Sequence, residues 1–252
     1  MNELSTLSHL GLLLARPGML VAAAPVFGGQ YAPVPVRLGL AVLLALFVLP
    51  TAPVPVLTTP MGLGVVLARE LVIGLALALA LQAVLAGAAL GGHLTGYQLM
   101  LSYGSTVDPQ GGVRNTLTAT LYVNLALLTC LAINAHHTLI RALADSYAVL
   151  PIGTGGVDGS LVGAVVRMLG IVFVLGLRLA APLIVVMFIA ELATALMARV
   201  APTLNLMAVA PPLRVAVGLA ALAAVVGLVP GVVARLAGGV GQLGLRVAEA
   251  FR

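Results

Sequence analysis

The chain alternates long apolar runs with short polar segments that are rich in Gly and Pro. A membrane-spanning helix needs about 20 mostly apolar residues, and about six runs approach or exceed that length. The second run is short for a span, whereas the fifth is long enough for two helices broken at Pro182, whose ring cannot continue the backbone hydrogen bonds. The runs are approximately Leu4 to Ala24, Leu38 to Leu49, Leu63 to Leu90, Leu117 to Ala135, Leu161 to Met197 and Val209 to Val229.

This pattern predicts an all-α, multi-helix integral membrane protein made of helical hairpins with some broken helices. The composition agrees, because 62% hydrophobic and 8% charged residues cannot cover a water-soluble surface for 252 residues. No soluble domain or low-complexity linker interrupts the pattern. We therefore expect a single membrane-embedded unit over residues 1–252.

The charges exclude one class of partner. The basic residues are all Arg, and 12 of them against 7 acidic residues give a formal net charge of +5. They are spread along the chain without the cluster that is typical of a nucleic-acid-binding surface. We expect no nucleic-acid partner.

Four charged residues lie in or beside apolar runs, namely Arg16, Glu70, Arg178 and Glu191. An unpaired charge that faces lipid is costly, so these side chains should face protein or water. A transporter would use them to couple ions, whereas a subunit of a larger assembly would use them as pairs between helices or between subunits. The sequence leaves both alternatives open.

Small residues in the third apolar run are spaced for helix packing. They recur four residues apart at Ala83, Gly87 and Gly91, and again at Gly92 and Gly96. Such spacing lets two helix backbones approach closely, inside this chain or with another. Chance is the alternative in a sequence so rich in Ala and Gly.

A polar segment, "GYQLMLSYGSTVDPQGGVRNT" from Gly96 to Thr116, separates the third and fourth apolar runs. Its glycines give backbone freedom, and its Asp-Pro step favours a turn. Its Ser, Thr and Gln side chains can bond to backbone groups inside a closed, partly wet pore. A plain external loop of the same composition is the alternative.

Catalytic and metal-binding motifs are missing from the sequence. We find no HExxH, GxSxG or GxxxxGK[ST] pattern. His136 and His137 are adjacent and point about 100° apart on a helix, so they form no chelating pair. Together with His9 and His93 they make a poor metal set. We therefore expect no enzyme activity, no cofactor and no metal site.

The order of several short motifs resembles the FliR family of flagellar biosynthetic proteins, and the resemblance covers nearly the whole chain. It departs from the family pattern at Met100, Ala135 and Thr203, where Gly, Gly and Gln are usual. The matching motifs are "RPGMLVAAAPVFGGQYAPVPVRLGLA" with Arg16, Pro25, Pro33 and Arg37; "RELVIGLALA" with Glu70 and Gly74; Gly96, Gln98, Asp108 and Pro109; "NAHHTLI"; "LPIG" from Leu150 to Gly153; and "ARVAPTLNLM" with Arg199, Pro202 and Asn205.

The resemblance implies a subunit of the flagellar type III protein-export gate, in the bacterial inner membrane at the flagellar basal body. It implies FliP-like and FliQ-like membrane partners, FlhB-like and FlhA-like export components, contact with membrane lipid, and unfolded secreted proteins as substrates. The alternatives are the equivalent virulence secretion subunit and a small secondary transporter that uses Glu70, Glu191 and the arginines.

Two sets of site residues follow from the resemblance. The segment of about Leu101 to Asn115 is similar to a loop that plugs the export channel. The expected plug or gate residues are Gln98, Met100, Leu101, Ser102, Tyr103, Gly104, Ser105, Asp108, Pro109, Gly111, Gly112 and Arg114. The expected assembly contacts are Arg16, Arg37, Glu70, Gly87, Gly91, Arg178, Glu191, Arg199, Pro202 and Asn205.

Overall fold

The regular elements are helices throughout the part of the chain that the structure, a computed structural model, describes: residues 3–27, 32–49, 60–100, 116–154, 160–200 and 206–249. This confirms the all-α prediction. The helices are α1 Glu3–Ala23, α2 Val34–Val48, α3 Pro60–Gln98, α4 Leu117–Ala132, α5 Ala135–Val149, α6 Ser160–Val200, α7 Leu206–Val225, α8 Val229–Ala237 and α9 Val240–Glu249, with 3-10 turns at Pro25–Phe27 and Val226–Leu228.

Among the described residues, three helical runs are long and apolar enough to cross a membrane, which supports the prediction of an integral membrane protein. They are Met61–Gln98, Val162–Val200 and Ala210–Arg246. The pair α4 and α5, bent by 65°, would form a fourth span if the two helices cross together. Helix α2 is apolar but short, with 15 residues, as its sequence run predicted.

The prediction of a helix break at Pro182 is wrong. Helix α6 continues for 41 residues with Pro182 inside it. A proline removes one N–H from the helix ladder, but the neighbouring turns can hold the helical path where nearby protein groups satisfy the freed carbonyl. The fourth predicted apolar run ends at Ala135, close to the end of α4 at Ala132, and Asn134, between α4 and α5, has a left-handed backbone with φ 57°. Asn tolerates that conformation better than most side chains.

The chain divides into two compact units, which are described separately. The first comprises Met1–Ala83, Cys130–Gly170 and Ala237–Arg252. In it α1 packs on α2, and α5 packs on α9. Its core includes the fully buried Leu20, Ile73, Leu77, Leu139 and Leu143. Whether the chain acts as one membrane-embedded subunit stays a prediction.

Polar groups at the C-terminal end of α1 are satisfied inside the first unit. The Arg37 Nη2 donates to the carbonyl oxygen of Ala22 at 2.7 Å, and the Gln82 Nε2 donates to that of Ala23 at 2.6 Å. The last carbonyls of a helix have no partner within the helix. These two side chains therefore fix the end of α1 to α2 and α3.

The second unit comprises Val84–Thr129 and Ile171–Leu236, and two glycines of the predicted small-residue row, Gly87 and Gly91, pack within it. A Cβ on Gly87 would lie 2.9 Å from the Leu175 Cβ, and one on Gly91 would lie 2.9 Å from the Leu179 Cβ. The two contact pairs follow the same order along both helices, so α3 and α6 run parallel here. The row is thus a helix contact inside this chain.

Two further contacts complete the second unit. The start of α4 lies against α3, where Gly92 faces Ala119 and the Thr118 Oγ1 donates to the Gly92 carbonyl at 2.7 Å. Leu99, Leu183 and Met187 form a buried cluster together with Ala221 of α7. Gly87, Gly91 and Gly92 are therefore the glycines at which this part of α3 is shown to approach α6 and α4 closely.

Candidate functional site

Arg16 and Glu70 form a buried ion pair that joins α1 to α3. The Arg16 Nε donates to the Glu70 Oε2, and the Nη2 donates to the Oε1 at 3.2 Å. The two side chains are 0% and 1% exposed. Two parallel N–H groups on one carboxylate make a strong, directional contact. Both charges therefore face protein, and each compensates the other.

The same arginine also binds the C-terminal end of α5. Its Nη1 donates to the Ser146 carbonyl at 3.1 Å and approaches the Ser146 Oγ at 3.3 Å, while its Nη2 donates to the Leu150 carbonyl at 2.7 Å. The last carbonyls of a helix lack partners and carry partial negative charge, so a cation there is favourable. Arg16 thus links three helices of the first unit.

An aromatic ring covers the guanidinium. The ring centre of Tyr147 lies 4.4 Å from the Arg16 Cζ, which is a favourable cation–π distance. The Tyr147 hydroxyl is buried and has no hydrogen-bond partner among the described residues. The N–H groups of Arg16 are used inside the chain, so the cluster holds helices together and offers no open site to a solute.

A second ion pair lies in the second unit, between α6 and α7. Arg214 binds Glu191, with side-chain exposures of 27% and 43%. The pair lines a cleft of about 230 Å³ together with Met100 and, around it, Ala190, Thr194, Ala210, Pro211 and Leu213. This pair is open to its surroundings, unlike the one at Arg16.

Met100 links this cleft to the predicted plug segment. It follows α3, which ends at Gln98, and it has a left-handed backbone with φ 59°. It is also the last described residue before residues 101–115. Gln98, also a predicted plug residue, is the last residue of α3. The remaining predicted plug residues lie outside the described residues: Leu101, Ser102, Tyr103, Gly104, Ser105, Asp108, Pro109, Gly111, Gly112 and Arg114.

The remaining predicted assembly residues are dispersed. Arg37 is half-buried on α2, whereas Arg178 and Arg199 are exposed on α6. Neither Arg178 nor Arg199 forms an ion pair or a side-chain hydrogen bond within the described part of the chain. Pro202 and Asn205 fall in residues 201–205, outside the described residues. Roles of all these side chains in assembly stay predictions.

Sequence reasoning missed the partners of the two carboxylates and the polar groups at the end of α5. A signal for the ion pairs existed, because Arg214 is the only charged residue in the sixth apolar run and Glu70 is the only acidic residue between positions 4 and 107. The Ser146 and Leu150 carbonyls had no such signal, since every residue carries a carbonyl. Among the described side chains, no group of three or more His, Cys, Asp or Glu could hold a metal ion.

Comparison with known proteins identifies the family. The profile of bacterial export proteins, family 1, matches residues 7–239. The flagellar biosynthetic protein FliR of Pectobacterium carotovorum subsp. carotovorum is 34% identical over 214 residues, covering 84% of this chain and 81% of that protein. FliR of Escherichia coli K12 is 32% identical over 220 residues (86% and 83%), and FliR of Bacillus subtilis 168 is 27% identical over 210 residues (82% and 81%). The chain therefore belongs to the bacterial export proteins, family 1, and within them to the FliR family of flagellar biosynthetic proteins.

Proposed function

We propose that the protein is a non-enzymatic subunit of the flagellar type III protein-export gate, placed in the bacterial inner membrane at the flagellar basal body. The names of its relatives support a role in flagellar biosynthesis, and the family profile supports a role in export. The long apolar helices support a membrane location. The virulence-type alternative gains no support from these flagellar relatives.

The observation that carries this proposal is the state of the two carboxylates in apolar helices. Glu70 is paired with Arg16, and the two side chains are 0–1% exposed. Glu191 is paired with Arg214. A secondary transporter needs carboxylates that can bind and release an ion beside a substrate path. Both carboxylates are paired, and that of Glu70 is also buried. Such carboxylates suit a structural subunit better than a small-solute transporter.

Uncovered apolar surface supports membership of a larger assembly. Within the chain 67% of the apolar stretch in Met61–Gln98 is buried, but only 33% of that in Val162–Val200 and 17% of that in Ala210–Arg246. Surface of this kind is covered by lipid or by other subunits. We propose FliP-like and FliQ-like subunits as direct neighbours and FlhB-like and FlhA-like components as further partners, with unfolded secreted proteins as substrates.

We also propose that residues 101–115 plug the channel of this gate. The support is the polar, Gly-rich composition of the segment and the position of Met100, which leads into it beside a half-open ion pair. A flexible polar segment can fill a wet pore without burying much apolar surface. An external loop is the competing interpretation.

Co-purification tests the assembly. The tagged chain would be expressed with the FliP-like and FliQ-like proteins of the same bacterium and extracted in a mild detergent. We expect all three in one complex on a blue-native gel. A chain that runs alone as a monomer or homodimer and binds a small solute would contradict the export-gate function and favour the transporter.

A further inference from the structure

The outer face of α6 around Arg178 combines an unpaired charge with a continuous apolar surface. Arg178 is exposed, and no ion pair or hydrogen bond engages its side chain within the described ranges. Val174 precedes it by one turn and is 44% exposed, and Val185 and Phe188 follow it at 57% and 64%. The apolar surface therefore extends on both sides of the guanidinium.

No placement of α6 in a bilayer avoids its charges. A span needs about 20 apolar residues, yet Arg167, Arg178, Glu191 and Arg199 divide the helix into shorter pieces. The uncharged stretch on one side of Arg178 has 10 residues, from position 168 to 177, and the one on the other side has 12, from 179 to 190. Glu191 is compensated by Arg214. Of the three arginines of α6, Arg178 lies farthest from both helix ends, and no ion pair compensates it within the described part of this helix pair.

Neither lipid tails nor water suit this face. Lipid tails would cover the valines and phenylalanine but leave the guanidinium without an acceptor. Water would solvate the guanidinium but leave the apolar side chains exposed. If Arg178 lay at the level of the phosphate headgroups, the apolar residues on one side of it would lie outside the hydrocarbon core of the bilayer. A protein surface that is apolar with one acidic side chain satisfies both requirements.

The backbone of Arg178 also has a polar group without its usual partner in the helix. Pro182 lies four residues after Arg178 and has no N–H, so it cannot donate to the Arg178 carbonyl. The Arg178 carbonyl therefore lacks the donor that the helix normally supplies four residues later. A donor group on the partner helix, such as a hydroxyl or an amide, would satisfy it.

A second copy of this chain is a poor match, because its carboxylates are already committed or wrongly placed. Glu70 and Glu191 are the acidic residues inside apolar runs, and both are paired within the chain. Asp145 is exposed on α5, a helix that also carries Arg141 and two histidines. The other four acidic residues, Glu3, Asp108, Asp158 and Glu249, belong to chain ends or polar connecting segments.

We propose that the α6 face formed by Val174, Arg178, Val185 and Phe188 docks an apolar helix of a different membrane subunit, and that an Asp or Glu of that helix pairs with Arg178. This inference rests on the proposed function, since it assigns one contact surface within the same assembly. It goes further by naming the surface, its central residue and the chemistry of the residue that meets it.

Site-specific cross-linking and charge changes test the proposal. A photo-reactive amino acid at position 174 or 185, one or two turns from Arg178, would be introduced into the chain co-expressed with the FliP-like and FliQ-like subunits. We expect cross-links to a helix of one of those subunits that carries an Asp or Glu near the cross-linked position. Cross-links between two copies of this chain, or to lipid alone, would overturn the proposal.

The charge changes measure the contribution of the arginine. Arg178→Ala should reduce the co-purified partner about tenfold or more, because it leaves the partner's carboxylate without its counter-charge, and Arg178→Lys should reduce it less. Arg178→Glu should abolish binding, and exchange of the cross-linked carboxylate for Arg in the partner should restore it. Arg235→Ala, at an exposed arginine in the last turn of α8, is the matched control and should change the yield less than twofold.

The outcomes separate this inference from the proposed function. If the unmodified chain co-purifies with the other subunits and Arg178→Ala does so equally well, the assembly stands and the Arg178 contact is refuted. If the unmodified chain does not co-purify at all, both proposals fail. Because the Arg178 side chain is exposed and makes no ion pair or hydrogen bond within the described chain, loss of folding would not explain a selective loss of binding.

Discussion

Gly74 lies directly against the backbone of Arg16: a Cβ at Gly74 would be 2.5 Å from the Arg16 carbonyl oxygen and 3.0 Å from its Cα. Glu70 is one turn earlier on the same face of α3 and holds the guanidinium of the same residue. One residue of α1 is thus held at its backbone by a glycine and at its side chain by a carboxylate. The close helix approach and the buried ion pair depend on each other.

Gly74→Ala should therefore destabilise the protein. The added methyl group has no space beside the Arg16 backbone, and overpacking of this kind costs about 1–3 kcal/mol. The measurement is the melting temperature of the purified protein in detergent. Gly64→Ala is the control, because that glycine is in the same helix and has nothing within 4 Å of an added Cβ. It should stabilise the helix by up to about 1 kcal/mol; equal losses at both sites would contradict the packing argument.

Glu70→Ala should impair folding and assembly strongly. Removal of one partner from a buried pair leaves an uncompensated charge and costs about 3–5 kcal/mol. Glu191→Ala removes a carboxylate that is 43% exposed, so its effect on stability should be about 0–1 kcal/mol. Melting temperature and the amount of complex on blue-native gels would report both. An intact complex with Glu70→Ala would argue against the importance of the Arg16 cluster.

Pro182→Ala should leave the helix intact, in contrast to what a break at this position would predict. Alanine restores an N–H for the Arg178 carbonyl and has a higher helix propensity, so stability should change by at most about 3 kcal/mol in the favourable direction. Circular dichroism and melting temperature of the protein in detergent are the measurements. Pro211→Ala, at an exposed proline inside α7, gives a comparison with the half-buried Pro182. A fall in helix content with Pro182→Ala would show that the ring itself stabilises this region.

Deletion of residues 104–112 tests the proposed plug. A Gly-rich polar segment contributes little apolar burial, so its loss should open the pore while the complex still assembles. Cells that express the deletion together with the partner subunits should become permeable to small ions and grow poorly. Without the partners the leak should be much smaller. Equal conductance of the intact and deleted complexes in planar bilayers would refute the plug assignment.

Much of the helical architecture was predictable, because long apolar runs in a membrane protein predict helices. The run from Leu63 to Leu90 is part of α3, but the helix continues through Gly91, Gly92 and Gly96 to Gln98. Glycine lowers helix propensity in isolation. Gly91 makes close contacts with α6 and Gly92 with α4, and such contacts are not visible in a hydropathy pattern.

The errors and omissions have a common origin in tertiary context. Pro182 was expected to break a helix and does not, and the partners of Glu70 and Glu191 were not predicted. Local propensity is a weak guide when long-range packing decides which turns persist. The need for counter-charges at Glu70 and Glu191 was predictable from their apolar surroundings. Their specific partners depended on helix packing.

The glycine contacts between α3 and α6 constrain how this part of the chain can evolve. Gly87 faces Leu175, Gly91 faces Leu179, and on the opposite helix Gly176 faces Leu90. In each pair one residue occupies the space that the other leaves free, so a larger residue on one helix requires a smaller one on the other. Among family members these positions should covary in pairs, and a chimera that combines α3 of one species with α6 of another should fold only where both halves of each pair come from compatible sequences.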